Sequence, residues 1–418
     1  MKENNPINVT DEELVRAFVG DKKTKKLSKN KMSVGKKSLI FLVSGIVCIL
    51  GGGTMLTISL LGLSQNRETL DFPSLSSDDN KQVYYSNLTG EKLKDEAAVT
   101  APAYCVQTPN GTDGARPQAG LNQAGVIFEA IAEAGITRFA AIYQDPSVSV
   151  IGPIRSLRTY YLEWDIPFDC TIVHAGGSGD ALAAISSGGY KDLSEDYSYM
   201  YRGTYGGRLW NNLFTTSANL KKFSTDHGYN TSEIKGFARM TPEESAKNRV
   251  DKTAKHKLVI TKPAEGNTSE IEAETATIGI RFGGLVNFNV NYTYNADTNT
   301  YARSYQSGAA HEIYSCSAED VGERNPEDVC TLVQMSPSVV VAIMVPERRA
   351  ADNYHEDIDV IGSGDAYIFQ NGIAIKGTWN KTSREDQIKF TDTDGKEIKL
   401  APGQTFVSAV PNYGSVEF

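Results

Sequence analysis

The sequence predicts an α+β protein in which an N-terminal cytoplasmic tail and one transmembrane helix precede a mixed α/β ectodomain and a mostly antiparallel β domain. Three observations predict this arrangement. Residues 38–63 contain no charged side chain and follow a lysine-rich segment. Between residues 84 and 240, short apolar segments alternate with helix-start signals. Alternating strands and tight-turn dipeptides then fill residues 257–418.

Charge is distributed unevenly along the chain. The net charge of the 418 residues is −9, but residues 1–37 carry ten Lys or Arg against five Asp or Glu. Residues 64–418 therefore carry a net charge of −14. A nucleic-acid-binding protein needs a basic surface, so we expect no nucleic-acid partner for the part of the chain beyond residue 63.

The uncharged segment 38–63 is the predicted membrane anchor. Its 26 residues, at about 1.5 Å of rise each, are enough to cross a hydrocarbon core of about 30 Å. Eight lysines and no acid lie in residues 22–37, which keeps the N-terminus in the cytoplasm and the bulk of the chain outside. A cleaved signal peptide is the alternative, but its apolar core is usually only about 7–15 residues long. The sequence therefore predicts a single-pass protein of the cell membrane.

Beyond the anchor, the sequence divides into a linker, two larger regions and a connecting helix. The linker is polar and has no apolar periodicity, and the helix has a capping-box start at Thr241-Pro242-Glu243-Glu244. The predicted boundaries are 64–83 for the linker, 84–240 for the α/β domain, 241–256 for the connecting helix and 257–418 for the β-rich domain.

Local patterns place strands and helices within these regions. In the first region, helices are predicted after Pro153, Asp180 and Ser217, and Ala134-Gly135 favours a hairpin that starts near Val126. In the second region, Asn371-Gly372 and Asp394-Gly395 separate alternating segments and favour the positive φ angles of two-residue hairpin turns.

Several strings resemble a known bacterial family. Those of the first region are ARPQAGLNQAGVIFEAIAEAGITRF, IGPIRSLRTYY, CTIVHAGGSGDAL and NNLFTTSANL; those of the second are YARSYQSGAAHE, IDVIGSGDAYIF, GTWNK and LAPGQTFVSAVP. They are similar to the N- and C-terminal domains of the YerB-like family, and the resemblance covers roughly 85–418. It implies a bacterial surface protein whose domains have no assigned function and whose relatives are often lipoproteins.

Two departures from that family matter. This chain has the apolar segment 38–63 in place of a lipoprotein signal; Val47 and an apolar run flank Cys48, which is unlike a lipidation site. Where the family usually has a histidine before an Asn-Leu-Tyr-Thr-Ser string, this chain has Asn211. If that histidine is catalytic in relatives, the same activity is in doubt here.

Arg155 and Arg158 are the first candidate ligand-binding residues. They stand three positions apart after a Gly-Pro pair, so on a predicted helix they share one face. Two guanidinium groups near a helix N-terminus suit a phosphate or carboxylate. The alternative is a pair of structural salt bridges with the abundant acidic side chains. The family resemblance at both arginines supports the binding role.

A second candidate is the segment that follows a predicted strand ending at His174. The glycine-rich loop with Gly176, Gly177 and Ser178 lies between this strand and a predicted helix. Open α/β sheets place their ligands at such strand ends, and the glycines let backbone amides approach an anion. The loop is not a G-x-G-x-x-G motif, so no dinucleotide cofactor is expected. A hydrogen-bonded structural histidine is the competing interpretation of His174.

Catalytic candidates are fewer. Glu129 and Glu133 would share a face of a strand or a helix and, with His174, could divide acid and base roles in glycan cleavage. Arg138 more simply neutralises one of the two carboxylates. His311-Glu312 is a weaker signal. The five histidines show no metal-ligand spacing, so neither a metal nor a cofactor is expected.

Four cysteines follow the anchor and allow three pairings. Cys316 and Cys330 enclose a short polar loop between predicted strands and could form a disulfide in an oxidising compartment. Cys105 and Cys170 lie in apolar segments and are interpreted as buried thiols.

Three functional hypotheses remain. The first is a membrane-anchored cell-envelope module that binds an anionic ligand, wall polymer or protein partner near Arg155, Arg158 and His174. The second is a wall-glycan hydrolase or transferase that uses Glu129 or Glu133 with His174. The third is a scaffold without a small-ligand site. The motifs provide cations and backbone donors more clearly than a nucleophile and base, which favours the first.

Overall fold

Strands dominate the described part of the chain. The computed structural model describes residues 82–204, 209–250, 259–264, 267–272, 277–319 and 322–418. Within these ranges the strands are β1 (Tyr84–Tyr85), β2 (Lys92–Leu93), β3 (Ala103–Pro109), β4 (Val126–Glu133), β5 (Ile136–Gln144), β6 (Thr171–Val173), β7 (Asp192–Leu193), β8 (Tyr201–Arg202), β9 (Leu213–Phe214), β10 (Val259–Ala264), β11 (Asn267–Glu272), β12 (Thr277–Arg281), β13 (Val290–Asn295), β14 (Thr300–Tyr305), β15 (Glu312–Cys316), β16 (Cys330–Gln334), β17 (Val339–Val345), β18 (Glu347–Arg349), β19 (Glu356–Ile358), β20 (Gly362–Gln370), β21 (Ile373–Lys381), β22 (Lys389–Thr391), β23 (Thr405–Pro411) and β24 (Ser415–Glu417).

The helices are short. The α-helices are α1 (Thr159–Asp165), α2 (Gly179–Ser186), α3 (Ser217–His227), α4 (Pro242–Lys247) and α5 (Pro326–Val329), and single 3-10 turns occupy Ala97–Thr100, Leu121–Gln123, Ile166–Phe168, Leu209–Asn211 and Val286–Phe288. At the start of α4, Thr241 and Glu244 form the expected reciprocal capping box.

The predicted α+β class is wrong, because the described residues are mostly strand, 39% against 17% helix. Helices do follow Pro153, Asp180 and Ser217, but α1, α2 and α3 have only 7, 8 and 11 residues. Local signals predicted that these helices exist, and α3 ends at a local stop signal, Gly228 with φ +74°.

One large sheet runs through both predicted ectodomain regions. Its order is β11–β10–β21–β20–β17–β23–β4–β5–β3–β6–β7, with β22 beside β21. β23 lies parallel to β4, so that Thr405 pairs with Val126 and Ser408 pairs with Glu129. Strands from the two regions therefore share one sheet within a single compact unit, Ser76–Phe418.

Each face of the large sheet is covered by a second layer. On one face lies a four-stranded sheet in the order β14–β13–β12–β24, where the rings of Tyr292 and Phe406 are 5.9 Å apart. On the other face lies α1, where Trp164 stacks on Phe128 at 5.0 Å. Because both faces are covered, β3, β4 and β5 are buried along almost their whole length.

Among the residues that the structure describes, no helix is long and apolar enough to span a membrane. The predicted anchor, 38–63, and the basic tail, 1–37, lie outside the described residues, as does nearly all of the predicted linker.

Candidate functional site

A β-bulge near the end of β4 separates the two carboxylates that the sequence placed on one face. Ile131 pairs with Thr137, but Glu133 pairs with Ile136, which is a shift of one residue in register. Because side chains alternate along a strand, the extra residue turns Glu133 to the face opposite Glu129. The expectation of a shared face is therefore wrong, and the two carboxylates do not flank a common space.

Glu133 lies among three arginines, Arg138, Arg155 and Arg158. We call these four residues the arginine cluster. Arg138 Nη2 lies 2.8 Å from Glu133 Oε1, and Arg158 Nη2 lies 2.6 Å from Oε2. These two arginine side chains are only 4% and 5% exposed, and that of Glu133 is 14% exposed. Arg155 instead donates to the carbonyl oxygen of Trp210 at 2.8 Å. One carboxylate thus forms ion pairs with two of three neighbouring guanidinium groups.

The electrostatics of the cluster favour additional negative charge. Burial, and then the charge of Arg138, lower the pKa of Arg155 to about 10, and the same causes lower the pKa of Arg158. The carboxylates of Glu133 and, to a smaller extent, Asp113 offset part of this effect at Arg155. Burial opposes ionisation of Glu133, but Arg138 and Arg158 outweigh it and lower its pKa. Arg155 and Arg158 are therefore cations held where their charge is disfavoured.

Arg155 and Arg158 do not lie on a helix. The predicted helix begins only at Thr159, and Arg158 precedes it with the extended angles φ −127° and ψ 155°. The extended segment is held by the glycine-rich loop, because Leu157 donates to the carbonyl of Gly176 at 3.0 Å. The guanidinium groups therefore meet through strand-like pairing and not through helical spacing.

The glycine-rich loop has a supporting role in this geometry. Gly176 has φ +70°, which favours glycine, and a Cβ on Gly177 would lie 3.2 Å from the carbonyl oxygen of Leu157. The amide of Ser178 donates to that same carbonyl at 3.1 Å. Gly176, Gly177 and Ser178 thus fix the backbone between the two arginines, and the Ser178 amide is not available to an anion.

His174 is a buried neighbour of this loop. The residue is 1% exposed; its Nδ1 lies 2.7 Å from the carbonyl oxygen of Gly176 and its Nε2 lies 2.9 Å from Asp192 Oδ1. Both ring nitrogens are therefore used in contacts that hold β6 and β7 to the loop. This geometry matches the structural interpretation of His174.

Glu129 belongs to a separate buried network on the other face of the sheet. Arg303 Nη2 donates to both oxygens of Glu129, at 3.0 and 2.8 Å, and both side chains are 0% exposed. Arg303 Nη1 lies 2.5 Å from His311 Nδ1, and His311 Nε2 lies 3.1 Å from Gln118 Oε1. Burial and the charges of Arg303 and Arg116 hold the pKa of His311 well below its usual value, so the imidazole is neutral.

Sequence reasoning missed most of this network. Thr137 and Asn110 donate to Glu129 Oε1 at 2.8 and 3.4 Å, and Arg116 donates to Asn110 Oδ1 at 2.9 Å. A signal was present, however. Arg116 and Gln118 lie in the string ARPQAG, and Arg303 and His311 lie in YARSYQSGAAHE, so the strings that carried the resemblance converge in space.

Asn211, the position that departs from the family pattern, lies beside the arginine cluster. It is 2% exposed and its Nδ2 donates to the carbonyl oxygen of Asp113 at 3.2 Å. Its neighbour Trp210 accepts the hydrogen bond from Arg155 and is 40% exposed. The departure therefore affects the edge of the candidate site.

Both pairs of cysteines form disulfides. Cys316 bonds to Cys330 at the end of the β15–β16 hairpin, which is the pairing the sequence allowed. Cys105 and Cys170 were interpreted as buried thiols, and that interpretation is wrong because they bond to each other. Parallel pairing of β3 with β6 brings them within reach, which no local pattern shows. In the described part of the chain, no group of three or more metal-binding side chains could hold an ion.

Comparison with known proteins finds the same family that the quoted sequence strings resemble. Residues 88–230 match the family "Protein of unknown function (DUF3048) N-terminal domain", and residues 280–407 match its C-terminal domain. The chain is 27% identical over 329 residues to "Putative lipoprotein YerB" of Bacillus subtilis (strain 168), which covers 78% of this chain and 86% of the relative. The crystal structure of that species' YerB protein superposes with a TM-score of 0.61 at 23% identity, over 80% of this chain and 100% of the other. The chain therefore belongs to the YerB-like DUF3048 family, with both of its domains.

Proposed function

We propose that this protein is an extracytoplasmic cell-envelope binding module, attached to the membrane through residues 38–63, whose arginine cluster binds an anionic group of a wall polymer, peptide or protein partner. One observation carries the proposal: three guanidinium groups converge on Glu133, and among the described residues it is the only carboxylate with ion pairs to two of them. Charge-assisted, planar donors of this kind suit phosphate and carboxylate.

The chemistry of the cluster supports an anion more than any other ligand. Arg155 is partly exposed and donates its hydrogen bond to a neutral carbonyl. Its guanidinium group can therefore bind an anionic ligand without breaking an ion pair. The Nε atoms of Arg138 and Arg158 are buried donors without a hydrogen-bond partner among the described residues. An added anion would relieve the repulsion among the three cations.

The location is supported by separate observations. Two disulfides are typical of proteins that fold in an oxidising compartment outside the cytoplasm. The Bacillus subtilis relative is named as a lipoprotein, a class that is held at a membrane. The lysine-rich segment before residues 38–63 favours a cytoplasmic N-terminus.

A thermal-shift titration of the full chain in detergent tests the proposal. Inorganic phosphate, glycerol phosphate and acetate are the probes, with sodium chloride at equal ionic strength as the baseline. A ligand at about 100 times its dissociation constant should stabilise the native state by about 2.7 kcal/mol. Arg155→Gln should abolish that stabilisation while the protein stays folded.

The control is Lys376→Gln, which removes the same charge from an exposed side chain beside Asp365, at 3.4 Å. It should leave the phosphate response unchanged. If Arg155→Gln and Lys376→Gln respond to phosphate like the wild type, the cluster is not an anion site. A scaffold role would then account better for the arginines.

The hydrolase or transferase alternative has no comparable support in the geometry. Glu129 and Glu133 lie on opposite faces of the sheet, each in an ion pair with arginine. His174 is buried and both of its ring nitrogens are occupied. None of the three side chains reaches a common reacting atom.

A further inference from the structure

A second concave site lies beside the turn between β20 and β21. It is a cavity of about 450 Å³ lined by residues of α4, the start of β21 and the segment 396–399. Its apolar lining comes from Met240, Ile373, Ile375 and Ile398, of which Met240 and Ile398 are only 9% and 8% exposed. The volume is that of a small-molecule site, and a ligand that fills it must present apolar surface to these side chains.

One polar side chain of the lining is buried and incompletely hydrogen-bonded. Asn371, at the turn itself, is 1% exposed. Its Oδ1 accepts hydrogen bonds from Asn299 Nδ2 at 2.9 Å and from Ser245 Oγ at 3.1 Å. Because Asn299 presents an NH2 group there, the atom opposite it must be the oxygen of Asn371, which fixes the orientation of the amide. The Asn371 Nδ2 atom is then a buried donor without a hydrogen-bond partner in the described part of the chain.

The adjacent buried amide of the lining shows what a satisfied side chain looks like here. Gln370, 3% exposed, donates from Nε2 to the carbonyl oxygen of Lys399 at 3.1 Å and accepts at Oε1 from the amide of Ala401 at 2.7 Å. Asn371 uses its oxygen in the same way, but its NH2 group has no such role. A buried donor without an acceptor is costly, so this group favours a ligand that brings an acceptor.

The charges of the lining balance one another. They come from two carboxylates and two ammonium groups, all on exposed residues: Glu244, Glu397, Lys396 and Lys399. Lys399 Nζ lies 3.7 Å from Glu244 Oε1. Because these four groups carry no net charge, neither an anion nor a cation would meet a surplus of opposite charge in the cavity. The lining therefore favours a neutral ligand, in contrast to the arginine cluster.

We infer that this cavity binds a neutral, compact apolar molecule with one carbonyl oxygen. Asn371 Nδ2 donates a hydrogen bond to that oxygen, and Met240, Ile373, Ile375 and Ile398 contact the apolar part. The apolar lining selects the body of the ligand, the unpaired donor selects an acceptor, and the balanced charges select against an ion. The inference does not depend on the arginine cluster, since the ligand is uncharged and the residues are different.

Ligand-observed NMR on the full chain in lipid nanodiscs tests this inference, with cyclohexanone as the probe and empty nanodiscs as the baseline. Cyclohexylammonium is the counterpart, because it has the same ring but donates hydrogen bonds and accepts none. Saturable binding of the ketone, and no saturable binding of the ammonium, is the expected result. Asn371→Asp keeps the oxygen that Ser245 and Asn299 need and removes the donor, so it should raise the dissociation constant of cyclohexanone about tenfold.

The matched control is Asn353→Asp, which changes another asparagine with a positive φ angle, 59°, in the β18–β19 turn and outside the cavity. Asn353→Asp should bind cyclohexanone like the wild type. Ile373→Phe places a larger side chain in the cavity and should abolish binding, so it provides the comparison if Asn371→Asp fails to fold. No saturable binding of cyclohexanone to the wild type, equal binding of cyclohexylammonium, or unchanged affinity in the folded Asn371 and Ile373 variants would each overturn the inference.

Discussion

Glu129 and Glu133 stand four residues apart on one strand and pair with arginine, yet their surroundings differ. Glu129 and Arg303 are completely buried, and hydrogen bonds from Thr137 and Asn110 satisfy the carboxylate further. Glu133 is 14% exposed and lies among three arginines. The charges of Glu129 and Arg303 balance each other inside the fold, whereas charge in the arginine cluster is left partly unbalanced near the surface.

A structural ion pair and a candidate binding site differ in how completely their charges are compensated. A buried pair with complete hydrogen bonding specifies how two parts of a chain pack, and here it joins β4 to β14. A cluster with surplus charge carries a free-energy cost that a ligand can relieve. Mutations in the buried pair should therefore lower the stability of the fold, and mutations in the arginine cluster should weaken ligand binding.

The largest expected effect is in the buried network. Arg303→Met leaves the Glu129 carboxylate buried without its partner and should lower the free energy of unfolding by about 3–5 kcal/mol. Urea denaturation followed by tryptophan fluorescence measures it, since Trp164 and Trp379 are both buried. Arg281→Met, which breaks the more exposed pair with Glu417, should cost less than about 1 kcal/mol. Equal losses in the two variants would contradict the comparison.

The next effect concerns pH and His311. Because the folded protein holds the pKa of His311 well below its usual value, the unfolded chain binds the extra proton first as pH falls below about 6.5. His311 therefore stabilises the fold fully above that pH and destabilises it increasingly below, by up to about 1.4 kcal/mol per pH unit.

The His311→Gln variant isolates this contribution. Glu347, with a pKa raised to about 7, changes stability in the opposite direction over part of the same range, so the wild-type curve alone is not diagnostic. The unfolding free energy of the wild type minus that of His311→Gln should decrease as the pH is lowered from 7.5 to 5. A flat difference would mean that the buried network tolerates a charged imidazole.

The smallest expected effect on stability is at Arg155. Arg155→Ala removes one hydrogen bond to a carbonyl but also removes repulsion with Arg138 and Arg158, so the unfolding free energy should change by less than about 1 kcal/mol. Urea denaturation checks this value. Arg158→Ala, which breaks an ion pair with Glu133, should cost more. If Arg155→Ala were the more damaging of the two, Arg155 would be structural and not available to a ligand.

Local sequence patterns predicted the turn at Asn371-Gly372 and the capping box at Thr241 correctly, whereas at Asp394-Gly395 only Gly395 has the positive φ expected of both residues. Asn371 and Gly372 have φ angles of 55° and 75° between β20 and β21, as that dipeptide favours, and the capping box at Thr241 is present. Such features depend on the conformational preferences of a few adjacent residues. The helix expected at Arg155 failed because pairing of Leu157 with Gly177, a tertiary contact, keeps those residues extended.

The family, the net negative charge of residues 64–418, the Asn371-Gly372 turn and the identity of the candidate arginines follow from the sequence alone. Long-range contacts determine that both regions share one sheet, that a bulge places Glu129 and Glu133 on opposite faces, and that Cys105 bonds to Cys170. The physical reason is that strand pairing joins residues far apart in the chain, and a shift of one residue reverses a side chain. Local patterns show which residues a site can use, whereas long-range pairing decides which of them meet.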